Sequence, residues 1–181
     1  SCALPLKKGY IYSMRIIHTS DWHLGHTLMD KTREEEMRSF FSFLIDVIIK
    51  ERVDALLISG DIFDTGTPSN AALSLYYSFL ASIKNTKCKD VFIIAGNHDS
   101  PSLLSAPKEI LEMVNVHIYA TKEDIEPYVI GEKVVVLPIP FPRDQELRRL
   151  VQGGTIKEED DRLRLAIEEL YQTETEKTAS A

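Results

Sequence analysis

The sequence predicts an α/β fold built on a parallel sheet, and three observations predict it. Residues 15–19, 55–58 and 91–95 are short, mostly apolar runs without polar alternation, as expected of strands buried on both faces. After each run comes a stretch whose apolar residues recur at three- and four-residue steps, the spacing of an amphipathic helix. The resulting order of strand, helix, strand, helix, strand, helix is that of parallel strands joined by crossover helices.

The elements follow in chain order. Residues 1–13 lack the long apolar segment of a signal peptide and read as a leader or expression remnant, with a strand on the sheet edge as the alternative. Met14 opens the first strand, and residues 20–29 form a loop rich in His, Asp and Gly. Met37, Phe40, Phe41, Leu44, Ile45, Ile48 and Ile49 mark a helix over 33–51. The strand at 55–58 ends at Gly60-Asp61, and residues 68–84 form a second helix. The strand at 91–95 ends at Gly96-Asn97-His98-Asp99, and a third helix spans 101–114 with Pro101 in its first turn. Short strands joined by turns are expected at 117–119, 128–130 and 134–139, with Gly131-Glu132 as a hairpin turn. Pro138, Pro140 and Pro142 close that run in an extended loop. Leu163, Ile167 and Leu170 lie on one stripe of a charged helix over 156–171, and residues 173–181 read as a flexible tail.

Composition narrows the function classes. The 181 residues are 44% hydrophobic and 27% charged, which suits one soluble globular domain. No apolar run reaches the length of a membrane span. Two cysteines, Cys2 and Cys88, do not make a disulfide framework and point to a reduced cytoplasm. A net charge of −7 argues against a module that coats nucleic acid by charge alone. It does not exclude a nuclease, because bound divalent metals invert the local charge.

Chemistry-bearing residues gather in the loops that follow the first three strands. These loops carry Asp21-Trp22-His23, Gly60-Asp61 with Asp64, and Gly96-Asn97-His98-Asp99. Parallel strands bring all three to one sheet edge, where open α/β sheets bind ligands. Carboxylate, amide oxygen and imidazole together suit divalent ions such as Mn²⁺, Fe²⁺ or Zn²⁺. On an extended stretch Asp21 and His23 project to one side and could grip one ion. Asp61 could bridge two ions, and Asn97 could offer its amide oxygen to the second. Singly, D-x-H usually marks a loop with a turn-forming Asp, Gly-Asp is often just a turn and Gly-Asn-His-Asp suits a capped turn, but all three, each directly after an apolar strand and in this order, point to a metal site.

Asp21-x-His23, Gly60-Asp61-x-x-Asp64 and Gly96-Asn97-His98-Asp99 resemble the first three signature motifs of the calcineurin-like metallophosphoesterases. The fuller strings, residues 18–25, 60–66, 95–100 and 138–141, resemble the SbcD family of nucleases over about residues 14–172. The resemblance implies a sandwich of two β-sheets flanked by helices, C-terminally incomplete here. It implies Asp21 and His23 on a first metal, Asp61 bridging, Asn97 on a second metal, and Mn²⁺ as the ion. His98 would face the scissile phosphate, to stabilise charge or protonate the leaving oxygen, with Asp99 orienting its ring. The implied activity is double-strand exonuclease and hairpin endonuclease action in DNA repair and recombination. The implied partners are DNA, an SbcC-like ATPase and a second copy docked through helices around 68–86 and 101–114.

The family also uses later histidine ligands. The histidines here are 18, 23, 26, 98 and 117, and the single Gly-His pair, Gly25-His26, sits in the first loop. The chain alone is therefore expected to bind metal weakly and to be inactive or nearly so. The rival readings are another phosphodiesterase or phosphatase of the superfamily, and a non-catalytic interaction or dimerisation module. Trp22 reads equally as a DNA-channel residue and as a packed aromatic. His26 is expected in solvent, His18 in the core, and His117 in a structural role. Lys84, Lys87 and Lys89 read as a solvated helix end, whereas Arg143, Arg148 and Arg149 could contact DNA or coat a helix.

Overall fold

In a computed structural model the described residues are 13–131, 134–143 and 156–179, the last span without the side chains of 156–160. The expected parallel sheet forms. Strand β1 (Ile16–Thr19) leads through a small antiparallel hairpin, β2 (Thr27–Leu28) and β3 (Lys31–Thr32), into helix α1 (Glu34–Glu51). Strand β4 (Ala55–Ser59), helix α2 (Asn70–Ile83) and strand β5 (Asp90–Ile94) follow. Next come α3 (Pro101–Ser105), α4 (Lys108–Glu112) and strand β6 (Val116–Tyr119). The sheet order is β1-β4-β5-β6, with every pairing parallel. Beyond it, β7 (Tyr128–Ile130) and β8 (Val134–Val136) pair antiparallel, and α5 (Ile156–Ala179) is the last element described.

Alternation along the strands assigns the two faces of the sheet. Leu56, Ile58, Ile93, Val116 and Ile118 share one core with residues from α1 to α4. Each such side chain contributes about 1.5–3 kcal/mol through removal from water. The opposite face carries Ala55, Phe92 and Tyr119, which pack against Ile130 of the β7–β8 hairpin. Helices on one face of a parallel sheet and a second, antiparallel sheet on the other agree with the layered α/β class expected.

Four details differ from expectation. His117-Ile118-Tyr119 extends the parallel sheet as its fourth strand instead of opening a separate meander. The helix expected over 101–114 is two short helices broken at Pro107, whose ring and missing N–H interrupt a helix interior. The strand expected over 134–139 stops at Val136, before the proline run. Helix α5 runs on to Ala179 through the supposed tail. There Lys177 meets Glu174 at 2.6 Å, Gln172 donates to Glu176 at 2.8 Å, and Thr175 and Thr178 bond back to the carbonyls of Tyr171 and Glu174. The leader expected over 1–13 falls almost wholly outside the described residues.

Helix α2 is apolar over more than one stripe because it is buried twice. Its Phe79 stacks on Phe41 of α1 at 4.3 Å between ring centroids, while Tyr76 meets Phe63 edge-on at 5.4 Å. Tyr77 remains 40% exposed, and Ile110, Met113 and Val114 around α4 are also exposed. Among the described residues no helix is long and apolar enough to cross a membrane.

Candidate metal centre

The loops after β1, β4 and β5 meet at the carboxyl edge of the sheet, and backbone pairing continues past the strand ends to hold them there. Asp21 N–H donates to the carbonyl of Gly60 at 3.1 Å, His23 to Asp61 at 2.9 Å, and Leu24 to Ile62 at 2.8 Å. Asp64 N–H returns the bond to Leu24 at 3.1 Å. This short ladder fixes Asp21, His23 and Asp61 with φ of 56°, 45° and 49°, a left-handed region that few non-glycine residues occupy. Such strain persists only where surrounding bonds impose it, and it clusters at functional sites.

Two glycines allow the β4 and β5 loops to touch. A Cβ on Gly60, at φ +84°, would stand 2.8 Å from the Cα of Gly96. A Cβ on Gly96 would stand 2.1 Å from Asp61 Oδ1. The glycine before each motif's acid or amide is therefore a packing requirement. His98 N–H donates to Asp61 Oδ1 at 3.0 Å across the same contact.

The donor atoms converge. One ligand atom each from Asp21, His23 and Asp61 lies within 4.8 Å of the others. His23 Nε2 stands 3.9 Å from Asp21 Oδ1 and 4.0 Å from Asp61 Oδ2. Those gaps are too long for hydrogen bonds. They are short enough for the donors to close on a shared cation, each about 2.0–2.2 Å from it, with small side-chain movements. The donor set, with two carboxylates and an imidazole held by strained backbone, thus fits a divalent metal. Asn97 lies exposed at this rim, between Gly96 and His98, both of which abut Asp61. The His98 ring lies 5.0 Å from that of His23, centroid to centroid.

A profile of the calcineurin-like phosphoesterases matches residues 14–175. The chain belongs to the calcineurin-like phosphoesterase family. Among curated relatives it is 35% identical over 164 residues to SbcD, of the nuclease SbcCD, from Escherichia coli strain K12, covering 88% of this chain and 40% of that one. It is 34% identical over 142 residues to the SbcD of Bacillus subtilis strain 168, covering 76% and 36%. The same identity and coverage hold for the DNA double-strand break repair protein Mre11 of Sulfurisphaera tokodaii. The chain thus spans about 40% of the length of its first curated relative. Among solved structures, that of the Pseudomonas putida nuclease MPE matches with a TM-score of 0.42 at 21% identity, over 65% of this chain and 50% of that one.

Within the phosphoesterase rim, Asp99 does something other than expected. It is 1% exposed, and both oxygens accept backbone N–H groups: Gly96 at 2.9 Å, Ile62 at 3.3 Å and Phe63 at 3.0 Å. Its carboxylate clamps the β5 loop to the β4 loop. The His98 ring is held instead by Asp64, whose backbone carbonyl lies 2.9 Å from His98 Nδ1. Asp64 also meets His26 Nδ1 at 3.0 Å, while the His26 side chain stays 41% exposed to solvent. Sequence reasoning saw Asp64 only as part of a motif. Its place three residues after Asp61 was the available signal.

The remaining residues settle simply. Trp22 is a packed aromatic, 4% exposed, edge-on to Phe41 and Phe79, with its indole N–H on Thr19 Oγ1 at 2.9 Å. His18 is exposed on the edge strand beside Ser59 Oγ at 2.8 Å and is not in the core. His117 is structural, stacked on Phe92 and bonded to Asp90 at 3.3 Å. Lys84, Lys87 and Lys89 lie in the α2–β5 connection, at the sheet edge opposite the rim. Arg143 bonds to the carbonyl of Asp99, and Phe141 N–H to that of Ala95 at 2.9 Å, so the proline run returns to the rim. Arg148 and Arg149 fall outside the described residues. Cys88 is buried, and that burial pushes its thiol up to about 12, leaving it protonated and inert at neutral pH.

Proposed function

We propose that this chain carries the first part of the catalytic centre of a DNA nuclease of the SbcD and Mre11 type, which hydrolyses phosphodiesters at a pair of Mn²⁺ ions. The observation that supports it is the convergence of Asp21, His23 and Asp61 donors within 4.8 Å at the strand ends, beside the His98 ring. In this reading Asp21, His23 and Asp61 would hold the first ion, and Asp61 and Asn97 would hold the second. Bound divalent ions supply Lewis acidity, which polarises the phosphodiester and makes water a better nucleophile.

The residues of the chain do the rest. The strained loops pre-set the ligand carboxylates, so little is lost to ordering when substrate arrives. His98 stands exposed at the rim with Nδ1 against a carbonyl, which can only accept; that nitrogen therefore carries a proton. Nε2 is left to face the phosphate. As an imidazolium the ring stabilises developing charge or protonates the leaving oxygen. Asp99 is a positioning residue that keeps the two loops together. The proposal extends to an SbcC-like ATPase partner, to a cytoplasmic setting, and to a homodimer docked through the exposed apolar residues of α2 and α4.

The test is hydrolysis of linear duplex DNA, against a small phosphodiester, by the full-length protein with Mn²⁺. Asp61→Ala should abolish both activities, and His98→Ala should lower turnover more than metal affinity. Unchanged DNA hydrolysis by Asp61→Ala refutes the assignment. Cleavage of the small ester alone points to another phosphodiesterase of the family. Calorimetry on the 181-residue chain should give weak Mn²⁺ binding.

A further inference from the structure

The proline run comes back to the rim and is fastened there at two points. Phe141 N–H donates to the carbonyl of Ala95 at 2.9 Å, and the Arg143 guanidinium donates through Nη2 to the carbonyl of Asp99. These two carbonyls bracket Gly96-Asn97-His98. Pro138, Ile139 and Pro140 are buried, whereas Phe141 is 46% exposed and Arg143 is exposed as well. A proline on either side of Phe141 fixes φ and stiffens the segment. A large apolar ring is thus kept at the surface by backbone with little freedom to withdraw it.

Arg143 has donors to spare. A guanidinium carries five N–H groups in a planar fork, and among the described residues no carboxylate pairs with this one. An unpaired cation two residues from an exposed aromatic ring suits single-stranded nucleic acid, in which a base stacks on the ring and a phosphate meets the cation.

We propose that Phe141 and Arg143 form a subsite for one unpaired nucleotide of the strand being cut, its base stacked on the Phe141 ring and its phosphate held by the Arg143 fork. The inference rests on the nuclease reading above. Every base has a π-face, so the subsite selects an unpaired nucleotide and not a base type. Within a duplex both faces of a base are covered by its neighbours. A nucleotide must leave that stack to reach the ring, which costs least at a mismatch or in a single strand.

Fluorescence anisotropy of end-labelled single strands, with metal withheld so that nothing is cut, reads the affinity of the full-length protein. Removing the base from each nucleotide in turn should weaken wild-type binding at one position, by roughly 5- to 150-fold, the range of one base–aromatic stack. Phe141→Leu should lose that dependence on the base, and Phe141→Trp should keep it. Arg143→Met should lower the salt dependence of binding by about one phosphate contact, and Arg143→Lys should preserve it. A wild-type protein indifferent to every missing base would overturn the proposal. So would a Phe141→Leu protein that still senses the missing base, or an Arg143→Met protein with the wild-type salt dependence. An equal loss by Phe141→Leu on the fully paired duplex would overturn the preference for an unpaired nucleotide. Should the wild-type protein with Mn²⁺ fail to hydrolyse DNA, the nuclease reading falls, and the anisotropy still decides the subsite.

Discussion

Gly96→Ala concentrates its effect on one contact. The added Cβ would stand 2.1 Å from Asp61 Oδ1, 2.3 Å from Asp61 N and 2.8 Å from Asp61 Cγ. The first is more than about 1 Å short of ordinary van der Waals contact. Two of the three neighbours belong to the carboxylate and the third to backbone, so the β4 loop itself must move. Overpacking of this kind costs about 1–3 kcal/mol, or roughly 2–12 °C in Tm for a chain of this length. A ligand displaced by about 1 Å also costs on the order of 100-fold in turnover. Gly66→Ala is the control, because its nearest contact would be Ser100 Cβ at 3.8 Å. Thermal unfolding and Mn²⁺ calorimetry on both variants decide the matter. Gly96→Ala with the Tm and Mn²⁺ affinity of Gly66→Ala would refute the idea that the two loops are pressed together to place Asp61.

Further outcomes follow from the same structure. Trp22→Ala should lower stability by about 3–5 kcal/mol in urea unfolding, since it empties the junction of Phe41 and Phe79; a loss confined to DNA affinity would restore Trp22 to a binding role. Asp99→Ala leaves three backbone donors without their acceptor, at about 1–3 kcal/mol for each buried group, so its unfolding midpoint should drop further than that of Asp99→Asn. Tyr76 is 1% exposed, its hydroxyl has no partner among the described residues, and burial pushes that hydroxyl far above its ordinary range. Tyr76→Phe should therefore hold or raise Tm, and a clear fall would reveal a missed bond. Burial works against ionisation of Asp124, but the Lys108 ammonium and the N–H groups of Thr121 and Ala120 outweigh it and hold the carboxyl below its ordinary 3.8. Its contribution is present above that value and lost as pH falls through the lower folded value, so Asp124→Asn should flatten the acid limb of stability against pH.

Much of this architecture was legible because buried parallel strands read as unbroken apolar runs, and each ended in a loop with an acid, amide or imidazole. The convergence of Asp21, His23 and Asp61 followed from parallel topology alone. Spacing could not reveal which group each side chain bonds. Asp99 looked like the partner of its neighbour His98, yet its carboxylate points into the core to collect three N–H groups. The ring went instead to the carbonyl of Asp64, 34 residues away in sequence. What covers α2 is not written in its own periodicity, because Phe41 and Phe63, which pack against its Phe79 and Tyr76, lie in other elements. The persistence of α5 past Thr173 rests on local side-chain bonds that a polar composition hides.

Crystals of the full-length protein grown with Mn²⁺ and measured at the manganese absorption edge test the metal centre most directly. The account predicts an anomalous peak bonded to His23 Nε2 and to carboxylate oxygens of Asp21 and Asp61, with a second peak sharing Asp61 and reaching Asn97. Manganese bound elsewhere, or His23 Nε2 hydrogen-bonded to a carboxylate with no peak between them, would contradict it.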